Sequence, residues 1–406
     1  MPMAKPNMIL IFMDDMGYGD MSCYSNTPIR TPNMDKVAGA GVKFTQMYAA
    51  APICTPSRVG ILTGRYPQRS GLSRVLFPED EEGLTQAEVT IADCLKAQGY
   101  ATCALGKWHV GCRPEHMPRQ HGFDYFFGLP YSNDMDPLPL YENERVIESP
   151  PDQATLTRRY TDKAIEFIQE HKDQPFFIYL AHTMPHIPLH VEEEFRGKSA
   201  AGTYGDTIEC IDWHLGRLMD TLEELDLLDN TLLMITSDNG PWYEGSTGGL
   251  RGRKFDVYEG GVRMPFVAQW PRVIPAGTLC EQPASQMDLL PTLTKLAGGE
   301  VPQDRIIDGR DIWHLFLNQG GSPHEALYFY AADSLNAIRV GKWKLHVARG
   351  FRGEDRREMP QLFDLSIDPG ESYNLADRYP GLVEKLIAKM EVFDGEIREQ
   401  RPAGKH

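Results

Sequence analysis

The sequence predicts an α/β fold: a large mixed sheet flanked by helices, followed by a smaller C-terminal antiparallel sheet with one covering helix. Two observations carry this. Through the first 320 or so residues, short apolar runs alternate with helical patterns, and each run ends in polar residues. Beyond that point the runs are closely spaced and separated only by turns. The change of pattern divides the chain into a first domain, residues 1–322, and a C-terminal subdomain, residues 323–406.

The elements follow in order. Residues 8–13 are apolar and end in Asp14-Asp15; residues 42–49 lead into Pro52-Ile53-Cys54-Thr55-Pro56-Ser57-Arg58. Residues 101–105 end in Gly106-Lys107-Trp108-His109, residues 176–181 in His182 to His186, and residues 232–237 in Asp238-Asn239-Gly240. Between these strands, residues 160–170 read as an amphipathic helix. Residues 206–225 read as another, with Ile208, Ile211, Leu215, Leu218, Leu222 and Leu225 making one apolar stripe. Residues 327–330, 336–340, 343–347 and 361–364 read as the short strands of the second sheet. A helix follows over 380–393, and the mixed-charge stretch 348–359 reads as a solvated loop.

Composition narrows the function. The 406 residues are 41% hydrophobic and 24% charged, as in ordinary globular proteins. Against 57 acidic side chains stand 41 basic ones, a formal charge of −16, which has the wrong sign for a general nucleic-acid or anionic-membrane surface. No apolar run approaches the roughly 20 residues of a membrane span. Neither an export signal nor an N-x-[ST] acceptor is visible, so the expected location is cytoplasmic. The seven cysteines are scattered with no C-x-x-C pair, which fits neither a disulfide framework nor a zinc module.

In open α/β sheets ligands collect beyond the carboxyl ends of strands. Five predicted strands deliver polar residues there. Asp14, Asp15, Asp238 and Asn239 are oxygen donors suited to a hard divalent cation, Ca²⁺ or Mg²⁺. One Asp alone would read as a cap or turn residue; adjacent pairs at two strand ends reverse that preference. Cys54 precedes Pro56, a good early helix residue, and a helix N-terminus favours a tetrahedral oxyanion. Lys107, His109 and Lys254 add positive charge. Of His182, His186 and His190, a mildly acidic imidazole near an ester oxygen suits protonation of a leaving alcohol.

These residues resemble the type I sulfatases of the alkaline-phosphatase superfamily. Cys54-Thr55-Pro56-Ser57-Arg58 with Leu62-Thr63-Gly64-Arg65 is similar to the family signature whose Cys is oxidised to formylglycine. The segments at Asp14–Asp20, Gly106–His109, His186–Pro188, Ser237–Gly240, Lys254 and Tyr258–Gly261 follow in the family's order, and residues 362–375 resemble its closing strand and turn. Pro130-Tyr131-Ser132-Asn133-Asp134 resembles the arylsulfatase A and N-acetylgalactosamine-6-sulfatase branch.

The resemblance implies that Asp14, Asp15, Asp238, Asn239 and an oxygen of modified Cys54 hold Ca²⁺, with Mg²⁺ as the alternative. It implies that the formylglycine hydrate attacks sulfur and then expels sulfate, and that Lys107 and Lys254 bear on the sulfuryl oxygens. Arg58 and His109 would orient the diol, and His186 would assist the leaving group. His182 and Ser132 would be substrate contacts. The implied partners are a small-molecule or carbohydrate sulfate ester and a formylglycine-generating maturation enzyme. Arg113, His116, Asn133, Asp134, Trp242, Tyr243 and Arg251 are expected at the pocket rim, and Phe255-Asp256 stand where the family commonly has small residues. Two alternatives remain: a phosphonate or phosphate monoester hydrolase with the same centre, and a sulfated-glycan-binding protein without chemistry.

Overall fold

Seven consecutive buried residues, Asn7–Met13, all apolar after Asn7, form β1 in the middle of the principal sheet, where helices cover both faces and every side chain is enclosed. The computed structural model describes residues 5–350 and 353–401. Met1–Ala4, the last residues of the chain and part of the expected 348–359 loop lie outside the described residues. The other strands of this sheet are β2 (Val42–Tyr48), β3 (Ala101–Lys107), β4 (Tyr125–Leu129), β5 (Leu140–Glu142), β6 (Arg145–Glu148), β7 (Phe176–Ala181), β8 (Thr231–Ser237), β9 (Arg263–Gln269), β10 (Thr278–Cys280) and β11 (Ala284–Ser285). Their spatial order is β10-β2-β9-β8-β1-β7-β3-β4-β5-β6, with β11 also beside β2. The run β8-β1-β7-β3-β4 is parallel; β9 runs antiparallel to both β8 and β2, so the sheet is mixed as expected.

Alternation along β1 assigns the two faces. Met8, Leu10 and Phe12 enter one core with Phe44, Tyr179, Leu289 and Phe316; Ile9, Ile11 and Met13 enter the other with Tyr160, Ile208 and Leu215. The second core is capped by the helices Leu156–His171 and Gly202–Glu224, both predicted from their apolar stripes.

Sequence reasoning passed over β9 because Pro265 interrupts it. The structure accommodates that proline with a register shift in β2: Phe44 faces Phe266 and Met47 faces Met264, so the partner strand bulges opposite the residue that has no N–H to give.

The second sheet is antiparallel in the order β12 (Leu327–Ala331), β13 (Ser334–Val340), β14 (Trp343–His346) and β15 (Gln361–Asp364). Its helix, Pro380–Gln400, runs past the expected end at 393 because Ile397 buries on the same face as Met390. Buried charges tie this sheet to the first. Lys344 Nζ lies 2.8 Å from Glu259 Oε1 and 3.4 Å from Glu371 Oε1, and Glu259 Oε2 accepts from Tyr48 and Arg263.

Candidate active site

The parallel strands β8, β1, β7 and β3 are neighbours, so the residues after their carboxyl ends meet at one edge. Asp14 and Asp15 follow β1, Asp238 and Asn239 follow β8, and Lys107 ends β3. Gly106 before it has φ +91°, and a Cβ there would lie 1.8 Å from the Ala181 carbonyl oxygen, so only glycine lets β3 and β7 close up beside the lysine.

The cysteine arrives on a helix. Cys54–Thr63 begins at Cys54, all ten of its residues are buried, and Gly64 closes it in the left-handed conformation with φ 67°. Arg58, one turn on, is wholly buried. Its Nη2 lies 2.9 Å from Asp238 Oδ2 and 3.4 Å from Asp14 Oδ1, and its Nη1 donates to the Lys107 carbonyl at 2.9 Å. Helix, β1, β8 and β3 are thereby pinned by one guanidinium.

Cys54 Sγ lies 3.6 Å from Asp14 Oδ1. Lys107 Nζ reaches Asp14 Oδ2 at 2.6 Å and Ser132 Oγ at 3.1 Å. Lys254 Nζ reaches Asp15 Oδ2 at 2.8 Å, and His186 Nε2 stands 3.7 Å from the same oxygen. Asn239 Nδ2 donates to Asp15 Oδ1 at 2.6 Å. Liganding atoms of Asp15, Cys54 and His186, and of Asp14, Cys54 and Asp238, lie close enough to share an ion.

The electrostatics follow from burying three carboxylates among three cations. Burial works to raise Asp14, but Lys107, then His186 and Arg58, outweigh it and hold the carboxyl well below the usual range. Asp238 goes the other way: burial, then the Asp14 charge, push it up to about 7 against Arg58. Burial also raises the Cys54 thiol, so this cysteine is no ready thiolate nucleophile. Burial, then Lys107 and Arg58, hold His109 neutral. Its Nε2–H donates to the Leu76 carbonyl at 2.9 Å, which leaves Nδ1 a buried acceptor with no hydrogen-bond partner.

The donor set fits a divalent cation. Asn239 Oδ1 is buried with no hydrogen-bond partner, beside three carboxylates of which one is driven toward protonation by burial and then by the Asp14 charge. All the offered atoms apart from sulfur and imidazole nitrogen are oxygens, the chemistry of a hard ion.

Eleven of the twelve expected site residues therefore sit in or beside this cluster, and one does not. His182 follows β7 with the parity of Leu180, so it enters the helix-covered core, 6.4 Å from the Tyr160 ring, and burial with His214 lowers its pKa to about 3. Three rim expectations also need correction. Asn133 is buried, its amide donating to Gln153 and to the Pro188 carbonyl. His116 is buried, its ring bonded to the Leu84 carbonyl, and Arg251 stacks on Tyr258 and donates to the Glu371 carbonyl. Thr55 and Ser57 stand in the signature segment but were given no role there; the Thr55 hydroxyl accepts from Leu76 N, and the Ser57 hydroxyl donates to the Asp238 carbonyl.

A buried helix-terminal cysteine among carboxylates, lysines and a cation-fitting donor set, at the strand ends of a mixed α/β sheet, defines an alkaline-phosphatase-like hydrolase of oxyanion esters. Residues 6–299 match the sulfatase family model and residues 322–403 the model for the C-terminal region of aryl-sulfatase. The chain belongs to the sulfatase family, and it is an enzyme that hydrolyses sulfate esters. Arylsulfatase A of Bos taurus is 40% identical over 92% of this chain and 84% of its own length; human steryl-sulfatase is 34% identical over 91% and 84%. A solved structure from work on glycosaminoglycan metabolism by Bacteroides thetaiotaomicron superposes with a TM-score of 0.90 at 32% identity, covering 97% of this chain and 100% of the other.

These relatives overturn the expected cytoplasmic location. Arylsulfatase A and steryl-sulfatase are lysosomal or endoplasmic-reticulum enzymes, so an acidic composition without a visible leader does not place this chain in the cytoplasm. No helix among the described residues is long and apolar enough to cross a membrane.

Proposed function

We propose that Cys54 is the residue converted to formylglycine, and that the ion is Ca²⁺, with Mg²⁺ the alternative, held by Asp14, Asp15, Asp238, Asn239 and an oxygen at position 54. The observation that carries this is the approach of Cys54 Sγ to within 3.6 Å of Asp14 Oδ1, next to the partnerless buried oxygen of Asn239. When present, the ion supplies positive charge to the sulfuryl oxygens, and the aldehyde hydrate supplies one hydroxyl to attack sulfur and a second to expel sulfate.

The chain's own groups do the rest. Lys107 and Lys254 donate to the non-bridging oxygens, where their charge stabilises the transition state most. Ser132, already within 3.1 Å of Lys107 Nζ, orients that ammonium. Arg58 holds the helix start against both acidic strand ends, and the bare Nδ1 of His109 accepts a proton from a hydroxyl at position 54. His186 gives Nδ1–H to its neighbour's carbonyl, so Nε2 is the nitrogen turned to the site; it passes a proton to the departing oxygen from the doubly protonated ring, the form that burial disfavours and the Asp14 and Asp15 charges favour. We read residues 1–322 as the catalytic domain and 323–406 as a subdomain buttressing it through Lys344. The names of the relatives support aryl or carbohydrate alcohols as leaving groups; the proposed maturation partner is a formylglycine-generating enzyme, because converting the Cys54 thiol to an aldehyde needs an oxidising catalyst from outside this chain.

The test pairs mass spectrometry of the peptide containing residue 54 with turnover of a chromogenic aryl sulfate. Material co-expressed with a converting enzyme should show the thiol-to-aldehyde mass change and turnover in proportion, and C54A should show neither. Full turnover by chain that carries only the thiol overturns the assignment of Cys54.

A further inference from the structure

We infer that Asp20, with Tyr204 behind it, is a positioning residue for the reaction: its carboxylate ties the segment that delivers Asp15 to the loop that delivers Lys254, and so sets the metal ligand and the sulfate-binding ammonium against each other. This rests on the roles given to Asp15 and Lys254 above and adds what holds them in place.

Lys254 needs such a device because its own segment supplies no frame. Asp14, Asp238 and Lys107 stand at strand ends, whereas residues 241–258, which carry Lys254, contain neither helix nor strand. The tip of that loop, Tyr243 and Glu244, is exposed, so core packing does not set its shape. Asp15 needs support as well. It holds φ +63°, a left-handed conformation that a non-glycine residue keeps only where its surroundings enforce it.

The contacts close a ring through both residues. Asp20 Oδ2 accepts from the Gly17 amide at 2.7 Å and from the Tyr204 hydroxyl at 2.6 Å, and Oδ1 accepts from the Ser246 amide at 2.8 Å. The Ser246 carbonyl in turn accepts from the Gly19 amide at 2.9 Å, so the two segments are bonded in both directions. From Ser246 the path runs along the loop. Arg253 Nη1 donates to the carbonyls of Gly245 and Trp242 at 2.7 and 2.8 Å, and the Lys254 amide donates to the Pro241 carbonyl at 3.1 Å. Lys254 Nζ then reaches Asp15 Oδ2 at 2.8 Å, and the Tyr204 hydroxyl stands 3.3 Å from the Asp15 carbonyl oxygen. Tyr204 belongs to the helix Gly202–Glu224 and to the core beneath it, which anchors the ring to the body of the fold. There is no slack: a Cβ at Gly17 would lie 2.1 Å from the Ser246 carbonyl oxygen, and one at Gly245 2.4 Å from the Tyr204 hydroxyl.

Asp20 is a costly way to join two loops, and the cost separates positioning from stability. The residue is 1% exposed, burial raises its carboxyl to about 6, and the Arg253 charge bears on it less than its hydrogen bonds do. A buried charge held by neutral donors is expensive. What it returns is geometry, because its two oxygens accept hydrogens from the Asp15 segment, the Lys254 loop and the helix at once. An amide has one acceptor oxygen, and its NH₂ would face a donor.

The experiment compares wild-type, D20N and Y204F chain, each converted at position 54. It reads kcat and KM on a chromogenic aryl sulfate, the Ca²⁺ concentration for half-maximal turnover, and thermal melting. D20N should lower kcat about 10²-fold, as misplacement by about 1 Å does. It should also raise the half-maximal Ca²⁺ concentration, while KM and the melting temperature of the metal-free chain change little. Y204F deletes one hydroxyl and keeps both loop bonds, so it reads the same relationship even where D20N does not fold; it should lower kcat about 3–10-fold. Wild-type kcat and Ca²⁺ response in folded D20N, or in Y204F, overturn the inference. So does a loss of turnover in strict proportion to a loss of folded chain, which is all that a merely structural role would give. D15N and K254A run alongside. Full turnover by either would sink the roles of Asp15 and Lys254 and this inference with them, whereas inactive D15N and K254A beside wild-type D20N and Y204F sink the inference alone.

Discussion

Lys107 Nζ lies 2.6 Å from Asp14 Oδ2, and neither side chain has any solvent exposure. A pair like this is strongly bound by what its loss would leave behind, since removing one partner strands the other charge in a dry interior. K107M should therefore lower the stability of the metal-free chain by about 3–5 kcal/mol. In the converted enzyme it should also lower kcat by about 10²–10³-fold, the usual effect of deleting one donor to developing oxyanion charge. Urea unfolding and aryl sulfate turnover check the two arms separately, and a K107M chain of wild-type stability would mean that Asp14 finds another partner.

Calcium should stabilise the chain even with Cys54 unconverted, because four of the five proposed ligands are already present. At about 100 times its Kd the ion adds about 2.7 kcal/mol by mass action. Thermal melts with EDTA and with added Ca²⁺ should separate by a few degrees, and N239A, which deletes the one neutral oxygen donor, should shrink that separation. Mg²⁺ giving the larger shift would reverse the choice of ion.

His182 and His186 stand four residues apart on one loop and belong to different halves of the molecule. H186A should cut kcat on poorly activated alkyl sulfates by about 10–10³-fold, more than on aryl sulfates whose leaving group needs little protonation. H182A should leave both rates within about twofold and instead cost about 2–4 kcal/mol of stability, because it opens a hole among Tyr160, His214 and Leu180. A selective kinetic defect in H182A would return that residue to the site.

The same pair marks how much was legible in the sequence. Residue types, their positions after apolar runs and their order named most of the centre, because strand ends in a parallel sheet must converge. The side chosen by a residue just past a strand depends on parity counted from a register that sequence does not print, and that is where His182 was misplaced. β9 was hidden by Pro265, whose cost is met by a bulge on another strand. The exposed ring of Phe77 carried no signal either, since an aromatic beside a polar motif reads equally well as core.

Asp212 offers a pH test away from the metal ligands. Its carboxylate accepts from the amides of Asn33 and Met34 at the start of the helix Pro32–Ala40, yet burial raises it to about 6. The folded value lies above the unfolded one, so the native state binds the extra proton and stability from this group falls as pH rises from about 4 to about 6. The full effect is about 3 kcal/mol at 1.36 kcal/mol per unit. D212N does not titrate, so its stability relative to wild type should improve over that same window and level off above it. A wild-type-minus-variant difference that stays flat across the window would show that Asp212 titrates normally.

The Lys344 network makes the last prediction. With Lys344 enclosed between Glu259 and Glu371, and His346 Nε2 2.6 Å from Glu371 Oε1, four fully buried ionisable groups meet between the two sheets. Burial works to raise Glu259, but Lys344, then Arg263 and Arg339, bring it down to about 2, so it is charged at every working pH. K344M leaves that charge facing Glu371, which should cost about 3–5 kcal/mol. E259Q removes the same repulsion from the other side. The double variant K344M/E259Q should therefore be less damaged than the sum of the single ones, with a coupling of about 1–3 kcal/mol. Because Glu259 lies five residues after Lys254, the K344M chain should lose affinity for substrate as its C-terminal sheet loosens, and proteolysis should then cut between residues 300 and 326 before it reaches the first sheet. Additive single effects would mean that the two sheets are held by their apolar contacts alone.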